Sequence, residues 1–524
     1  MQTLSPAADT SAQPWPQAEA AARARLSSSP TNHEAMLMLG LAIAAGGEPE
    51  RAAPILTEVL RLRPDQPHPC IALAEMLGRQ DTDLSVRLFR ASLRLDQSLR
   101  PAFAAWLLDH DGAAEALAVL RDVPETPETL HLAGMALADR GDFAAAAERF
   151  GRLVARAPDR AGGWSNLGMM LKVLGRFRDA MAAHDRALAL APDDTGLRTN
   201  RAVTLLHAGR WAEAWPDYDA RLRAPDRKGL PLSSLLPDLT TIGDLTGVTI
   251  LATHDEGFGD TLHFMRYLPL LAQRGARVLA WVPETLLRIV SRLPGVTAIA
   301  AGGPVPAHDF HIPMFSLPRA FASTPASVPS APYLTPDPAL VTAWADALPW
   351  HGFRVGIVWS GQARPWLPGF AALDRRRGAR LDDFAPLASI PGVTLVSLQA
   401  GGHGTGHPRL HDPMPLVRDF ADTAAIIANL DLVVSVDTSV VHLAGAMGKP
   451  VFMLDRVDHC WRWLHGRADS PWYPSLTIFR QEEAMDWLNP MRRLAAAVAA
   501  LVAFNAPPDA APRPSRVATF AVAA

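Results

Sequence analysis

The sequence is poor in several things that would settle its class at once. It has two cysteines in 524 residues, Cys70 and Cys460, too few for a disulfide framework or a cysteine zinc site and in keeping with a reducing compartment. It has no surplus of charge: 50 basic against 53 acidic side chains leave a net charge of −3, which argues against binding nucleic acid by bulk electrostatics. It has no long apolar run. The longest candidate, "LAAAVAALVAF" near the C-terminus, is too short and too rich in alanine to cross a bilayer. The opening residues, "MQTLSPAADTSAQPWP", have no basic stretch leading into an apolar one, so no secretory signal is read. No P-loop lysine, nucleophile elbow or zinc-protease motif appears. The expectation is a cytoplasmic protein with about two to four domains.

What is present first is a repeat. Gly47 and Asp81 are 34 residues apart, as are Gly141, Gly175 and Gly209 in succession, with 60 between Asp81 and Gly141. Gly40, Ala74, Gly134, Gly168 and Ala202 keep the same register seven positions earlier, and Pro64, Pro158 and Pro192 close three units. In the clearest unit, 161–194, Trp164, Leu167, Gly168, Leu171, Ala180, Ala187 and Pro192 occupy the pattern of a tetratricopeptide repeat. Small residues at Gly168 and Ala180 let two antiparallel helices approach, and larger ones around them fill the groove to the next hairpin. The unit around 101–126 is short, which predicts a truncated repeat. Residues 31–226 are therefore expected to form a helical solenoid with a concave face for a protein or peptide, after a flexible 1–30.

Periodicity then changes. After "RKGLPLSSLLPDLTTIGDLTG", a linker by composition, apolar runs of five to seven residues alternate with helical stretches. This predicts parallel sheets in two units, 247–335 and 350–504, with a disordered 505–524. Ligands in such sheets bind beyond the carboxyl ends of strands. "DLVVSVDTSVVHLAGAMGKPVF" reads as a strand, a polar turn and a helix, so Asp437, Thr438 and Ser439 stand where helix amides can meet phosphate. They are equally ordinary capping residues. His442 lies one turn into the helix. Ser360 and Gly361 end another strand, Gln399 a third, and Asp422 starts a helix at the matching edge. Arg375, Arg376 and Arg377 are the densest basic cluster, suited to a diphosphate by charge and geometry; Arg375 and Arg377 are the candidates. Asp260 follows the glycine turn "EGFG", either as a general base for a hydroxyl or as a first-turn helix acid, with His254 and Glu256 in reserve. Trp461, Trp463, Trp472 and Tyr473 suit interdomain core better than sugar stacking. His403, His407 and His411 lack metal-ligand spacing, and no metal or cofactor is expected.

Taken in order, "HDEGFGDTLHFMRYLPLL", "GIVWSG", "DRRR" and "DLVVSVDTSVVHLAGAMGKPVF" resemble the lipopolysaccharide heptosyltransferase-like group of GT-B glycosyltransferases over roughly 250 residues. A repeat solenoid joined to such a domain also resembles O-linked N-acetylglucosamine transferases and bacterial flagellin glycosyltransferases. The resemblance implies a tetratricopeptide solenoid followed by a GT-B domain of two Rossmann-like halves. It implies a nucleotide-sugar donor wrapped by the Asp437–His442 segment, Asp260 as the carboxylate that activates the acceptor, and a protein acceptor, flagellin-like among them, held by the repeats. Ser439 stands where the heptosyltransferases commonly have glycine. Two other readings stay open, a scaffold with an inactive transferase domain and a cell-envelope glycan transferase.

Overall fold

A computed structural model describes residues 15–46, 48–63, 71–72, 74–75, 78, 82–224, 227, 229–240, 242–255, 257–348, 351–362, 371–401 and 410–505. Gly47, Pro64, Cys70, Asp81, Glu256, His403, His407 and the tail beyond Asn505 lie outside these residues. The chain divides into two compact units, one holding residues up to Pro158 together with 371–372, the other the rest from Asp159 onward.

The first unit is helical: Trp15–Ser28, His33–Ala45, Pro49–Leu62, Thr82–Leu95, Arg100–Asp109, Ala113–Val119, Pro127–Asp139 and Phe143–Arg156. The small-residue register works as the sequence predicts. A Cβ on Gly134 would come within 2.8 Å of the Phe150 ring, and one on Gly40 within 2.7 Å of Leu56, so only glycine allows these helix pairs their spacing. Gly141 turns the chain at φ +85°. The truncated unit is present as helices of 10 and 7 residues, Arg100–Asp109 and Ala113–Val119. One expectation is corrected. Residues 15–28, assigned to a flexible N-terminus, form a helix that buries Ala22 with Leu39, Ile43 and Ala52. Its buried stripe is alanine-rich, too weak a pattern to separate from a polar leader.

The second unit begins with two more hairpins, Ala161–Val173 with Phe177–Leu190 and Thr195–His207 with Trp211–Tyr218. Gly175 and Gly209 make their turns at φ +72° and +76°. Next comes a four-stranded parallel sheet of β1 (Thr249–Thr253), β2 (Arg277–Val282), β3 (Val296–Ala300) and β4 (Phe310–Pro313), in the order β3-β2-β1-β4. A six-stranded parallel sheet follows: β5 (Phe353–Val358), β6 (Val393–Ser397), β7 (Leu410–His411), β8 (Leu432–Val436), β9 (Val451–Asp455) and β10 (Leu476–Arg480), in the order β10-β9-β8-β5-β6-β7. Counted from β5, that is 3-2-1-4-5-6, the doubly wound order, whose direction reverses between β5 and β8. β8 is buried at all five positions, its four aliphatic residues interrupted only by Ser435, as a strand covered on both faces requires.

One core runs through this whole unit. Leu205, Trp211 and Tyr218 of the repeats pack in the same cluster as Ile250 and Leu262 of the first sheet layer and Val440, Trp461 and Trp472 of the second. The far face of the larger sheet closes a separate core around Ile357, Val434, Met491 and Leu494. The proline-rich linker is packed rather than loose: Leu236, Leu239 and Leu245 are buried, and their amides donate to His311, Ala320 and Arg274 carbonyls. Among the described residues no helix is long and apolar enough to cross a membrane.

Candidate functional site

The reversal of strand order puts two loops side by side at the carboxyl ends of β5 and β8. After β5 the chain turns through Trp359–Gly361. Gln399, at the end of β6, holds that turn: its Oε1 accepts from the amides of Trp359 (3.1 Å) and Ser360 (3.0 Å), and its Nε2 donates to the Ser360 carbonyl at 3.0 Å. Gln399 is thus spent on main chain. A side chain at Gly361 would meet Arg377, whose Cζ is 2.8 Å from the Cβ position, while the Arg377 guanidinium pairs with Asp374 at 3.0 Å.

After β8 the chain turns through Asp437 and Thr438 into the helix Ser439–Ala446. Thr438 is the N-cap by position, yet its side chain caps nothing; its hydroxyl instead lies 3.0 Å from Ser435 Oγ. Facing this turn is the helix Phe258–Phe264, which follows β1. Gly259 lies against the other helix so closely that a Cβ there would be 3.0 Å from His442 Cδ2 and 3.3 Å from Ser439 Cα. That contact carries Asp260 to the same place. Asp260 Oδ2 accepts from the Gly257 amide at 2.8 Å, and Oδ1 is ion-paired with Arg462. Arg462 is buried, donates to Cys460 Sγ at 2.9 Å and lies over the rings of Phe315, Phe264 and Trp461.

Behind this contact, His442 does not open toward the turn's solvent side. Its Nδ1 lies 3.1 Å from both His263 Nδ1 and the Tyr473 hydroxyl, and it stacks on Trp463. Burial, reinforced by the Arg266 and Arg462 charges, pushes both histidines well below their ordinary range. Both are neutral near pH 7. Arg266 locks the arrangement from below, donating to the carbonyls of His263, Pro329 and Trp472 at 2.8 to 3.0 Å.

A band of buried charge continues from the end of β9. Asp455 accepts from Arg480 Nε at 2.9 Å, and burial pushes its carboxyl up to about 7. Arg456 is 8% exposed and reaches Asp458 only at 3.7 Å. Asp458 also accepts from Arg376 at 3.0 and 3.1 Å. Of the three consecutive arginines, Arg376 is the buried one; Arg375 is exposed and Arg377 half-buried. Lys172, from a repeat helix, joins the band, buried and within electrostatic reach of Asp458, Arg456 and Cys460. Burial pulls its ammonium down to about 8, with Asp458 opposing.

The repeats are fastened to this region by rings and ions. Trp211 stacks on Trp472 with centroids 5.1 Å apart and meets Trp461 edge-on. His207 packs on His459, and Phe177 on His465. Asp255, at the end of β1, pairs with Arg221 at 2.7 Å and with Arg227, and Asp219 binds Ser316 and Arg319. The aromatic segment read as interdomain core is that core: Trp461, Trp463, Trp472 and Tyr473 are all buried.

Of the residues singled out from sequence, the fold brings Asp260, Asp437, Thr438, Ser439 and His442 together, with Ser360 and Gly361 on the neighbouring strand end. His254 is turned to Thr261 at 2.7 Å, and Asp422 is taken up by Arg418, Arg288 and Trp344. His411 closes β7. Sequence reasoning did not pick out Lys172, Arg456, Asp458 or Arg462. A signal existed for the last three, which directly follow a strand's carboxyl end in "DRVDHCWRW".

Comparison with known proteins gives two family matches. A tetratricopeptide-repeat model matches residues 12–67, 131–194 and 171–228. A model described as glycosyltransferase family 9 (heptosyltransferase) matches 418–485, the stretch from the edge of the helix before β8 to just past β10. Protein FlbA of Caulobacter vibrioides is 32% identical over 184 residues, covering 32% of this chain and 28% of that protein; the match thus spans little more than a quarter of that relative's length. Among solved structures, a tetratricopeptide repeat protein of Parabacteroides merdae is 15% identical, with 41% of this chain and 88% of that one covered at a TM-score of 0.34. PilF of Pseudomonas aeruginosa is 19% identical, with 36% and 87% covered at 0.30. Likeness at those scores carries no functional argument.

Proposed function

We propose that the protein is a metal-independent GT-B glycosyltransferase. It moves a sugar from a nucleotide-sugar to a hydroxyl, and the acceptor is Ser or Thr of a protein or peptide held by the repeats. One observation carries this reading: the segment that matches the heptosyltransferase model contains β8, the Asp437–Ser439 turn and β9, and so one side of the crevice at the switch point of a doubly wound sheet, where such sheets bind ligands. Its amides at the start of the helix Ser439–Ala446 suit a diphosphate. The Thr438 hydroxyl, which makes no cap bond and is held only by Ser435 Oγ, adds a donor on turning to the phosphate, and Arg376 and its neighbours supply charge for the leaving group.

In the reaction, the acceptor oxygen attacks the anomeric carbon as the bond from that carbon to the diphosphate oxygen breaks. The acceptor proton passes to Asp260 and the nucleoside diphosphate leaves. In the free protein that carboxylate is ion-paired with Arg462. Asp260 therefore takes up that role when the donor phosphates draw Arg462 away from it. The tight seat of Gly259 on Ser439 and the Asp260–Arg462 pair favour one alternative, a scaffold whose transferase domain is inactive.

The test is a matched pair. Wild type and Asp260→Asn are titrated with nucleoside diphosphates and assayed for nucleoside diphosphate release from a panel of nucleotide-sugars, with and without a chelator. The expected result is unchanged affinity, no effect of chelation, and a rate lowered about 10²–10⁴-fold in the mutant, the usual loss for a positioned base. No release by wild type from any donor supports the scaffold. Equal rates reduce Asp260 to a helix tie. Glycan mass analysis of cellular proteins with and without the gene then tests the protein acceptor.

A further inference from the structure

The charged band beyond β9 has more donors than it uses. Arg456 is 8% exposed, and its Nε and Nη1 have no hydrogen-bond partner among the described residues. Lys172, equally buried, makes no hydrogen bond or ion pair through its ammonium there. An arginine and a lysine so deeply buried are costly unless an anion meets them. Each carboxylate at hand has one oxygen engaged, Asp458 Oδ2 by Arg376 and Asp455 Oδ2 by Arg480, and its Oδ1 without a hydrogen bond among the described residues, Asp458 Oδ1 standing 3.7 Å from Arg456. Arg456 lies in electrostatic reach of Asp437 as well as Asp458, and Cys460 is shared by Lys172 and Asp437 in the same way. Lys172 thus belongs to the same buried charged band as Arg456, Asp458 and Cys460.

Resting on the glycosyltransferase reading, we infer that Lys172 and Arg456 bind the diphosphate of the nucleotide, so that a repeat helix completes the donor site. In this view the last hairpins are more than an acceptor platform. Removing or misplacing them removes a donor ligand. Charge-assisted bonds in a buried site are strong enough for this role. The depressed Lys172 ammonium gives the interaction a signature: near pH 8 the free protein holds it partly neutral, and an anion would draw a proton onto it. The groups around it are Asp458, Arg456 and Cys460, with His184, His207 and His459 also sensing its charge.

The full chain is titrated calorimetrically with pyrophosphate and with ADP, GDP, UDP and CDP, at pH 7 and pH 8.5, in two buffers of different ionisation enthalpy. Lys172→Met and Arg456→Met should each weaken binding about 10–100-fold, the loss of a hydrogen bond to a charged group. Wild type should take up protons on binding at pH 8.5, whereas Lys172→Arg binds without that uptake because arginine stays charged. Undiminished binding in both Met variants overturns the inference while leaving the transferase reading intact. Should a Met variant fail to fold, the Arg variant decides, since proton uptake equal to wild type overturns the role of Lys172. Absence of binding by wild type to every probe overturns the donor site itself, and the inference with it.

Discussion

The same repeat is used in two ways along this chain. Up to Pro158 the hairpins are held by apolar contacts and glycine registers, and their charges sit outside, as in the ion pairs of Glu125 with Arg149, Arg152 and Arg156. From Asp159 the hairpins keep the geometry but bury Lys172, His184, Thr204, His207 and Asp217. Gly168 again allows the close approach, here onto His184, which is bonded to Thr204 at 2.9 Å. Polar groups at inward positions cost stability unless they are paired or used. Among the described repeats, Ser85, Ser92 and Thr129 are the buried polar side chains of the first unit, whereas buried lysine, histidine and aspartate occur only in the hairpins beside the sheets, which marks where the solenoid changes from a stack of units to part of a site.

The largest test of that contrast is truncation. Deleting residues 1–158 should leave the second unit folded and its nucleoside diphosphate affinity unchanged within about twofold, since repeats depend on their neighbours alone, while transfer to a protein acceptor is lost. Deleting 1–223 should give insoluble protein, because Trp461 and Trp472 lose Trp211 and Trp215 and an apolar patch opens. Soluble, binding-competent protein from the second deletion would break the comparison.

Next in size are two tryptophans. Trp106 packs with Phe89 and Phe103 in the first unit, and Trp211 stacks on Trp472 in the second. Replacing either by Ala should cost about 3–5 kcal/mol. The Trp106→Ala protein should lose its stability in the first unit only and bind nucleotide normally. Trp211→Ala should lower the second transition in calorimetry and weaken binding together. Equal effects on binding would mean that the two units do not differ in this way.

What the sequence made legible follows from the same physics. Repeat register, strand order along the chain and the polar turn at Asp437–Ser439 are local patterns, set by period and by composition. The packing of Gly259 on Ser439, the Asp260–Arg462 pair and the placement of Lys172 join residues some 180 to 290 positions apart, and no local pattern encodes such pairs. Arg376 shows the limit well. Sequence selects Arg375 and Arg377 from a run of three, but only the turn of the helix Ala371–Arg377 decides which guanidinium faces inward.

Acid should separate the units further. His184 and His459 are pulled down to about 3, and His207, His263 and His442 well below the ordinary value, in each case first by burial. All five lie in the second unit. Their folded state is neutral, so the unfolded chain binds more protons below pH 6.5. The stability they contribute is therefore complete above that value and is lost as pH falls toward 3, at up to about 1.4 kcal/mol per histidine per pH unit. The melting temperature of the second unit should drop between pH 7 and pH 5 by more than that of the first. Parallel acid profiles for the two would show that these histidines are not held neutral.

The smallest expected effect compares two threonines at helix starts. Thr126, in the first unit, is a working cap: its Oγ1 accepts from the Thr129 amide at 3.2 Å, and Thr129 Oγ1 accepts from the Thr126 amide at 2.9 Å. Thr438 occupies the same position before Ser439 and caps nothing. Replacing Thr126 by Val should cost the first unit about 1 kcal/mol, the ordinary value of a lost cap. Thr438→Val keeps the shape and surrenders only the contact with Ser435 Oγ, which retains its bond to the Val436 carbonyl, so the melting temperature without ligand should stay close to wild type. What should change is the protection given by a nucleoside diphosphate, because a hydroxyl donor to phosphate is gone, at roughly 1 kcal/mol or about fivefold in affinity. Thermal melts of both variants with and without the nucleotide separate a cap from a ligand contact. Stability lost in Thr438→Val with protection unchanged would make its hydroxyl, like that of Thr126, part of the fold alone.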